Sequence, residues 1–139
     1  MAQPLSSVDA AWLRMEDPTN LMMVTGILIF DEALDLGRLR STVSHRLLPF
    51  DRFRPRVVEA TFGVGPPRWV DDDRFDLDSH LHHLALPAPG GKIVLEEMAG
   101  DLMSTPLDMS KPLWQMHLID GYEGGSVLLT RLHHCIAEC

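Results

Sequence analysis

Cysteine is nearly absent from this sequence: Cys135 and Cys139 are the only two among 139 residues, four apart in the last five positions. Two such thiols make no disulfide framework, and their scarcity fits a reducing compartment, so a cytoplasmic location is expected. Basic charge is short as well. Twelve Lys and Arg stand against twenty Asp and Glu, a net charge of −8, and a nucleic-acid partner is excluded because neutralising phosphates takes a basic surface. Long apolar runs are missing too. The stretch from Leu21 to Phe30 falls well short of the ~20 residues a helix needs to cross a bilayer. Met1-Ala2-Gln3-Pro4-Leu5 has neither the basic nor the apolar region of a secretory signal. No internal repeat or low-complexity tract is visible.

What remains is the composition of an ordinary folded domain. Apolar residues make up 45% and charged residues 23%, enough to build a buried core and too apolar for global disorder. The length matches the ~100–200 residues of one domain, so a single folded unit is the default expectation. Charge is unevenly spread. Residues 1–70 carry eight basic and eight acidic side chains, whereas residues 71–139 carry four and twelve. Six of the basic residues fall between Arg38 and Arg56, read here as a solvated helix face followed by a strand.

Ser6 and Ser7 supply a hydroxyl N-cap for a short helix with Val8, Ala11, Trp12 and Met15 at helical spacing. Asp17-Pro18-Thr19-Asn20 breaks it, and Met22 to Phe30 reads as a buried strand. Leu36, Leu39, Val43 and Leu47 predict an amphipathic helix over Asp35 to Leu48, ended by Pro49. Short strands are expected over Phe53 to Val58 and at Trp69-Val70, and another over His80 to Leu86. Lys92 to Leu107 predicts a helix with Ile93, Leu95, Met98, Ala99, Leu102 and Met103 inward. Leu113 to Ile119 and Val127 to His133 read as adjacent strands joined through Asp120-Gly121-Tyr122-Glu123-Gly124-Gly125, since glycine tolerates the positive φ of such turns. The order implies a mixed α/β sandwich.

Two histidine groups invite chemistry. On a strand, His80 and His82 would share a face with His83 opposite, but zinc takes three or four ligands and no others are identifiable nearby, so no metal site is expected there. A site built from His133 or His134 with Cys135 and Cys139 is likewise not expected, because the segment is terminal and frays. The pair His133-His134 ends a strand, where one imidazole can face a cavity while its neighbour packs inward. A neutral imidazole at that place has the proton affinity that general-base catalysis of acyl transfer requires.

The run His133-His134-Cys135-Ile136-Ala137-Glu138-Cys139 resembles the His-His-x-x-x-Asp-Gly signature of the coenzyme A-dependent acyltransferase superfamily, which includes chloramphenicol acetyltransferase-like enzymes and peptide-synthetase condensation domains. The segment Ser104 to Gly121, with Pro112-Leu113-Trp114 at its centre, is similar to the Pro-Leu-Trp region of the bacterial wax ester synthase/acyl-CoA:diacylglycerol acyltransferase family. Pro4 to Leu13, Pro66-Pro67-Arg68-Trp69-Val70, Phe75 to His80 and Leu86 to Gly91 match the same family in the same order.

The resemblance implies a chloramphenicol acetyltransferase-like α/β fold, a mixed sheet flanked by helices, of which residues 1–139 form the N-terminal half. His134 is then the general base, and His133 supports the strand. Glu138 stands at the motif's Asp position and Cys139 at its Gly; Glu adds a methylene, and Cys lacks glycine's conformational freedom. Pro112, Leu113 and Trp114 shape the substrate channel, since none of them titrates. The implied reaction passes a fatty acyl group from acyl-CoA, a co-substrate with no separate cofactor, to diacylglycerol or a long-chain alcohol. Peripheral contact with membranes or lipid droplets follows from those substrates. Relatives have two similar halves with the channel between them. Because the sequence stops at its motif, the expectation is a truncation or frameshift, a missing C-terminal domain and negligible activity alone. The rival reading is a non-catalytic remnant or interaction module that pairs with a separate second half.

Overall fold

The computed structural model describes residues 3–59 and 65–137. Ser6 starts the first helix, α1 (Ser7–Arg14), by accepting the Asp9 N–H on its hydroxyl at 3.1 Å, which satisfies a donor the helix cannot pair internally. The buried face is Ala10 and Leu13, not the Val8–Ala11–Met15 stripe that spacing proposes: Val8 and Met15 are more than half exposed. Both stripes have helical period, and tertiary packing chose between them. The chain then reverses through a short turn closed by reciprocal Asp17 and Asn20 backbone bonds into β2 (Met23–Phe30).

β2 belongs to a four-stranded mixed sheet in the order β2-β7-β6-β5, with β5 at Leu81–Ala85, β6 at Trp114–Tyr122 and β7 at Gly125–His133. β7 runs antiparallel to both neighbours and β5 parallel to β6. Parallel pairing needs a crossover rather than a hairpin, and α3 (Lys92–Met103) supplies it. A second sheet joins β1 (Gln3–Pro4), β4 (Arg68–Asp71) and β3 (Pro55–Val58) in the order β1-β4-β3. The predicted helix over Asp35 to Leu48 is α2 (Leu36–Thr42) continued by a wider π-type turn over Val43–Leu47. The closing helix α4 (His134–Ala137) follows β7 without an intervening residue.

Two cores result. Leu95 and Ala99 of α3 pack on Ile119, Tyr122, Val127 and Leu129. A larger core joins α1, the small sheet and the start of α4 through Leu5, Leu13, Trp69, Leu113, Trp114, Cys135 and Ile136. Two expectations need correcting. Ile93 is 73% and Met103 47% exposed, because α3 is a single layer over the sheet and these residues sit at its ends. β2 is not a buried strand either. It is the edge of its sheet, and Val24, Ile27, Leu28 and Ile29 are exposed, since α3 covers the strands beyond it.

The β2–β7 pairing also explains Gly125. A Cβ there would lie 1.9 Å from the Phe30 carbonyl oxygen and 2.9 Å from the Asp31 carbonyl carbon. Both are backbone atoms and cannot swing aside. Gly125→Ala is expected to cost roughly 2–3 kcal/mol by prising the end of β2 from β7. Urea denaturation would read this as a lower midpoint, and an unchanged midpoint would contradict it.

Candidate active site

The two histidines at the end of β7 part company. His133 is fully buried. Its Nδ1 accepts the backbone N–H of Cys135 at 3.0 Å, which places the ring proton on Nε2. That atom lies 3.6 Å from Glu16 Oε1, within ion-pair range but too long for a direct hydrogen bond. Burial pulls the His133 pKa below its usual value; the Glu16 carboxylate opposes that shift and His134 adds to it. The ring is therefore neutral at neutral pH and serves as a fixed strut for the first turn of α4.

His134 turns the other way and remains partly exposed. Its backbone N–H donates to the Met22 carbonyl at 2.8 Å. Its ring stacks on the Trp12 indole, with centroids 4.3 Å apart and planes 17° from parallel. Trp12 comes from α1, so a helix more than a hundred residues away in sequence supplies one wall of the site. Glu138 lies outside the described residues.

Pro112, Leu113 and Trp114 are fully buried beside this site. The Leu113 carbonyl accepts the His133 N–H at 3.1 Å. Trp114 donates its indole N–H to the Phe53 carbonyl at 2.8 Å and stacks on His80 at 4.8 Å. Their connection to the histidine pair is through the strand end they hold.

The His80–His83 group disperses. His80 is buried, with Nδ1 2.7 Å from the Trp114 carbonyl. His82 stacks on His117, and His83 pairs with Asp120 across the β5–β6 register. Among the described residues, no three His, Cys, Asp or Glu side chains converge as a metal would require.

A polar cluster that sequence reading did not single out lies on the α3 side of the sheet. The buried Arg131 guanidinium donates to His117 Nε2 at 3.2 Å and to the Leu102 and Thr105 carbonyls at 3.0 and 2.6 Å. The two carbonyls lie in the last turn of α3 and just beyond it, where helix carbonyls lack internal donors. Burial, then the Arg131 charge, pushes the His117 pKa down to about 4. The unfolded chain thus takes up the proton near ~6.5 and the folded chain only near about 4. Stability is full above the higher value and falls as pH drops through this window. His117 alone is expected to cost roughly 2 kcal/mol between pH 7 and 5; His80 shifts in the same direction through burial. Denaturation midpoints measured across that range check it, and a profile flat to pH 5 would refute it.

A profile of the wax ester synthase/diacylglycerol acyltransferase catalytic domain matches residues 5–138. The chain is 38% identical over 138 residues to the probable diacyglycerol O-acyltransferase tgs1 of Mycobacterium tuberculosis, covering 96% of this chain and 30% of that protein. It is 36% identical over 140 residues to tgs3 of the same organism, covering 98% of this chain and 52% of that one. Among solved structures, the wax ester synthase/diacylglycerol acyltransferase of Marinobacter aquaeolei VT8 superimposes with a TM-score of 0.82 at 28% identity, over 98% of this chain and 34% of the other. The starter condensation domain of rhizomide synthetase RzmA shares the fold alone, with a TM-score of 0.76 at 12% identity over 98% of this chain and 33% of that one. The chain thus spans about 30% of the length of tgs1 and about half that of tgs3. By the profile match over residues 5–138, the chain belongs to the wax ester synthase/diacylglycerol acyltransferase family.

Proposed function

We propose that this chain carries the catalytic base of an acyl-CoA-dependent O-acyltransferase acting on diacylglycerol or a long-chain alcohol. One observation carries the reading: the histidine pair splits, with His133 buried as a strut and His134 partly exposed and stacked on Trp12. His134 takes the proton of the acceptor hydroxyl as its oxygen attacks the thioester carbonyl. The new C–O ester bond forms, the C–S bond breaks, and the proton passes to the departing CoA thiolate. No acyl-enzyme is needed, because the thioester is already activated and two oriented substrates suffice. A condensation-domain structure with the same fold was solved with C8-CoA, which supports acyl-CoA as donor. Pro112, Leu113 and Trp114 shape the channel from behind by fixing the end of β7. Glu138 stands at the position of the motif's Asp. The lipid acceptors place this chemistry at the surface of membranes or lipid droplets; no helix among the described residues is long and apolar enough to cross a bilayer.

The 139 residues by themselves turn over negligibly in this reading, and the remaining channel wall comes from a second half. The exposed apolar residues of β2 favour the related reading of a module that works only when joined to such a partner. The experiment measures CoA release from palmitoyl-CoA with diolein or hexadecanol, for the chain alone and for the chain supplied with the remaining two thirds of tgs1. Activity in the second sample only is the expected result. Activity in neither sample, with both proteins folded, would overturn the enzymatic reading, and full activity of the chain alone would overturn the need for a partner.

A further inference from the structure

We propose that Glu16 is a positioning residue for His134, holding the residues on both flanks of the base with a single carboxylate oxygen; this rests on the reading of His134 as that base. Glu16 follows α1 by two residues and is mostly buried, its side chain 18% exposed. Its Oε1 accepts the Met22 N–H at 2.6 Å, and the carbonyl of the same residue accepts the His134 N–H at 2.8 Å. That same Oε1 faces the Nε2–H of His133 at 3.6 Å, while the opposite nitrogen of the ring accepts the Cys135 N–H at 3.0 Å. One carboxylate therefore reaches the backbone N–H of His134 through Met22 and, across the His133 ring, that of Cys135.

The local sequence makes this reach feasible. The turn closed by Asp17 and Asn20 folds the chain back, so that Glu16 meets a residue only six positions later. Trp12, one helical turn before Glu16, stacks on the His134 ring. Trp12 within α1 and Glu16 just past its end thus meet the same residue, one at its ring and the other, through Met22, at its backbone N–H. A neutral imidazole with its proton on Nε2 is held in that tautomer by an acceptor on Nε2 and a donor on Nδ1. Cys135 supplies the donor on Nδ1, and the Glu16 carboxylate, 3.6 Å from Nε2, acts on that pole as a charge and not as a hydrogen-bond acceptor.

The test needs a readout that a merely structural glutamate would not move. In the 139-residue chain labelled with 15N-histidine, the ring spectrum is expected to show His133 as the Nε2–H tautomer and His134 protons shifted upfield by the Trp12 ring. In Glu16→Ala, the His134 protons are expected to move toward free-imidazole positions and His133 to stay neutral to lower pH than in the parent, with its Nε2–H tautomer kept by the Cys135 N–H and the amide spectrum still folded. Glu16→Gln keeps an oxygen for the Met22 N–H and removes the charge. It is expected to restore the His134 shifts while His133 stays neutral to lower pH than in the parent.

Unchanged His133 and His134 ring signals in a folded Glu16→Ala chain would overturn the proposal. If Glu16→Ala does not fold, Glu16→Gln decides: a His133 titration identical to the parent's would overturn it. In the joined enzyme, kcat for Glu16→Ala is expected to fall up to about 100-fold with KM little changed, since small misplacements of a catalytic group cost that much. His134→Ala in the same enzyme tests the base itself. Its failure would leave the ring spectra standing, so the two proposals can fail separately.

Discussion

Replacing His134 by Ala is expected to lower acyl transfer by about 10²- to 10⁴-fold, the usual contribution of a positioned general base, in the chain joined to the remainder of its relative. Stability should hardly change. His134 is partly exposed, its backbone N–H to Met22 is kept, and the main loss is one face of the Trp12 stack. Substitutions of that kind usually stay within about 1 kcal/mol. The effect should fall on kcat more than on KM, because the proton transfer develops in the transition state. CoA release at saturating palmitoyl-CoA measures it, with a urea curve on the same sample. Activity within threefold of the parent would remove His134 from the mechanism.

Trp114→Ala is the largest expected effect on stability, about 3–5 kcal/mol, the range for deleting a buried aromatic and leaving a cavity. Trp114 is fully buried, and its loss would also strip the Phe53 carbonyl of its indole donor and His80 of its stacking partner. His80 in turn packs against Phe75, so one deletion reaches β6, the loop before β3 and the segment before β5. A domain of this size has only ~5–15 kcal/mol in total, and much of the chain is expected to unfold at 37 °C. Thermal and urea melts followed by tryptophan fluorescence and circular dichroism would show it. A loss below about 1 kcal/mol would mean that the larger core closes without this residue.

How far the sequence could be read depended on what each pattern specifies. The Ser6 cap, the start of α3 at Lys92, the Gly-rich hairpin and the two long strands are local signals, and all stand in the structure, although Ile93 and Met103 do not face inward. Burial was less legible. The apolar run of β2 has strand composition whether it lies in the middle of a sheet or at its edge, and only the order β2-β7-β6-β5 decides. In α1, apolar residues are plentiful enough to write two helical stripes, and packing selected Ala10 and Leu13. Of the candidate site, the histidine pair was readable from its motif. Trp12 was visible only as a helix residue, and Glu16 only as the residue before a turn-forming Asp-Pro. Their approach to His133 and His134 spans more than a hundred positions, a separation that no local spacing encodes. Arg131 was hidden for a similar reason, since its partners are His117 on a neighbouring strand and the Leu102 and Thr105 carbonyls at and past the end of α3.

The place of β2 in the sheet also sets a timetable. Its neighbour is β7, paired from Met23 with His133 to Phe30 with Ser126, so roughly 100 residues must be synthesised after β2 before it finds a partner. At about 5–20 residues per second, that is a wait on the order of ten seconds on the ribosome. During it Met-Val-Thr-Gly-Ile-Leu-Ile-Phe is an unpaired apolar strand. Glu16, Met22 and Trp12 emerge early and His133 and His134 late, so the site closes only when the sheet does.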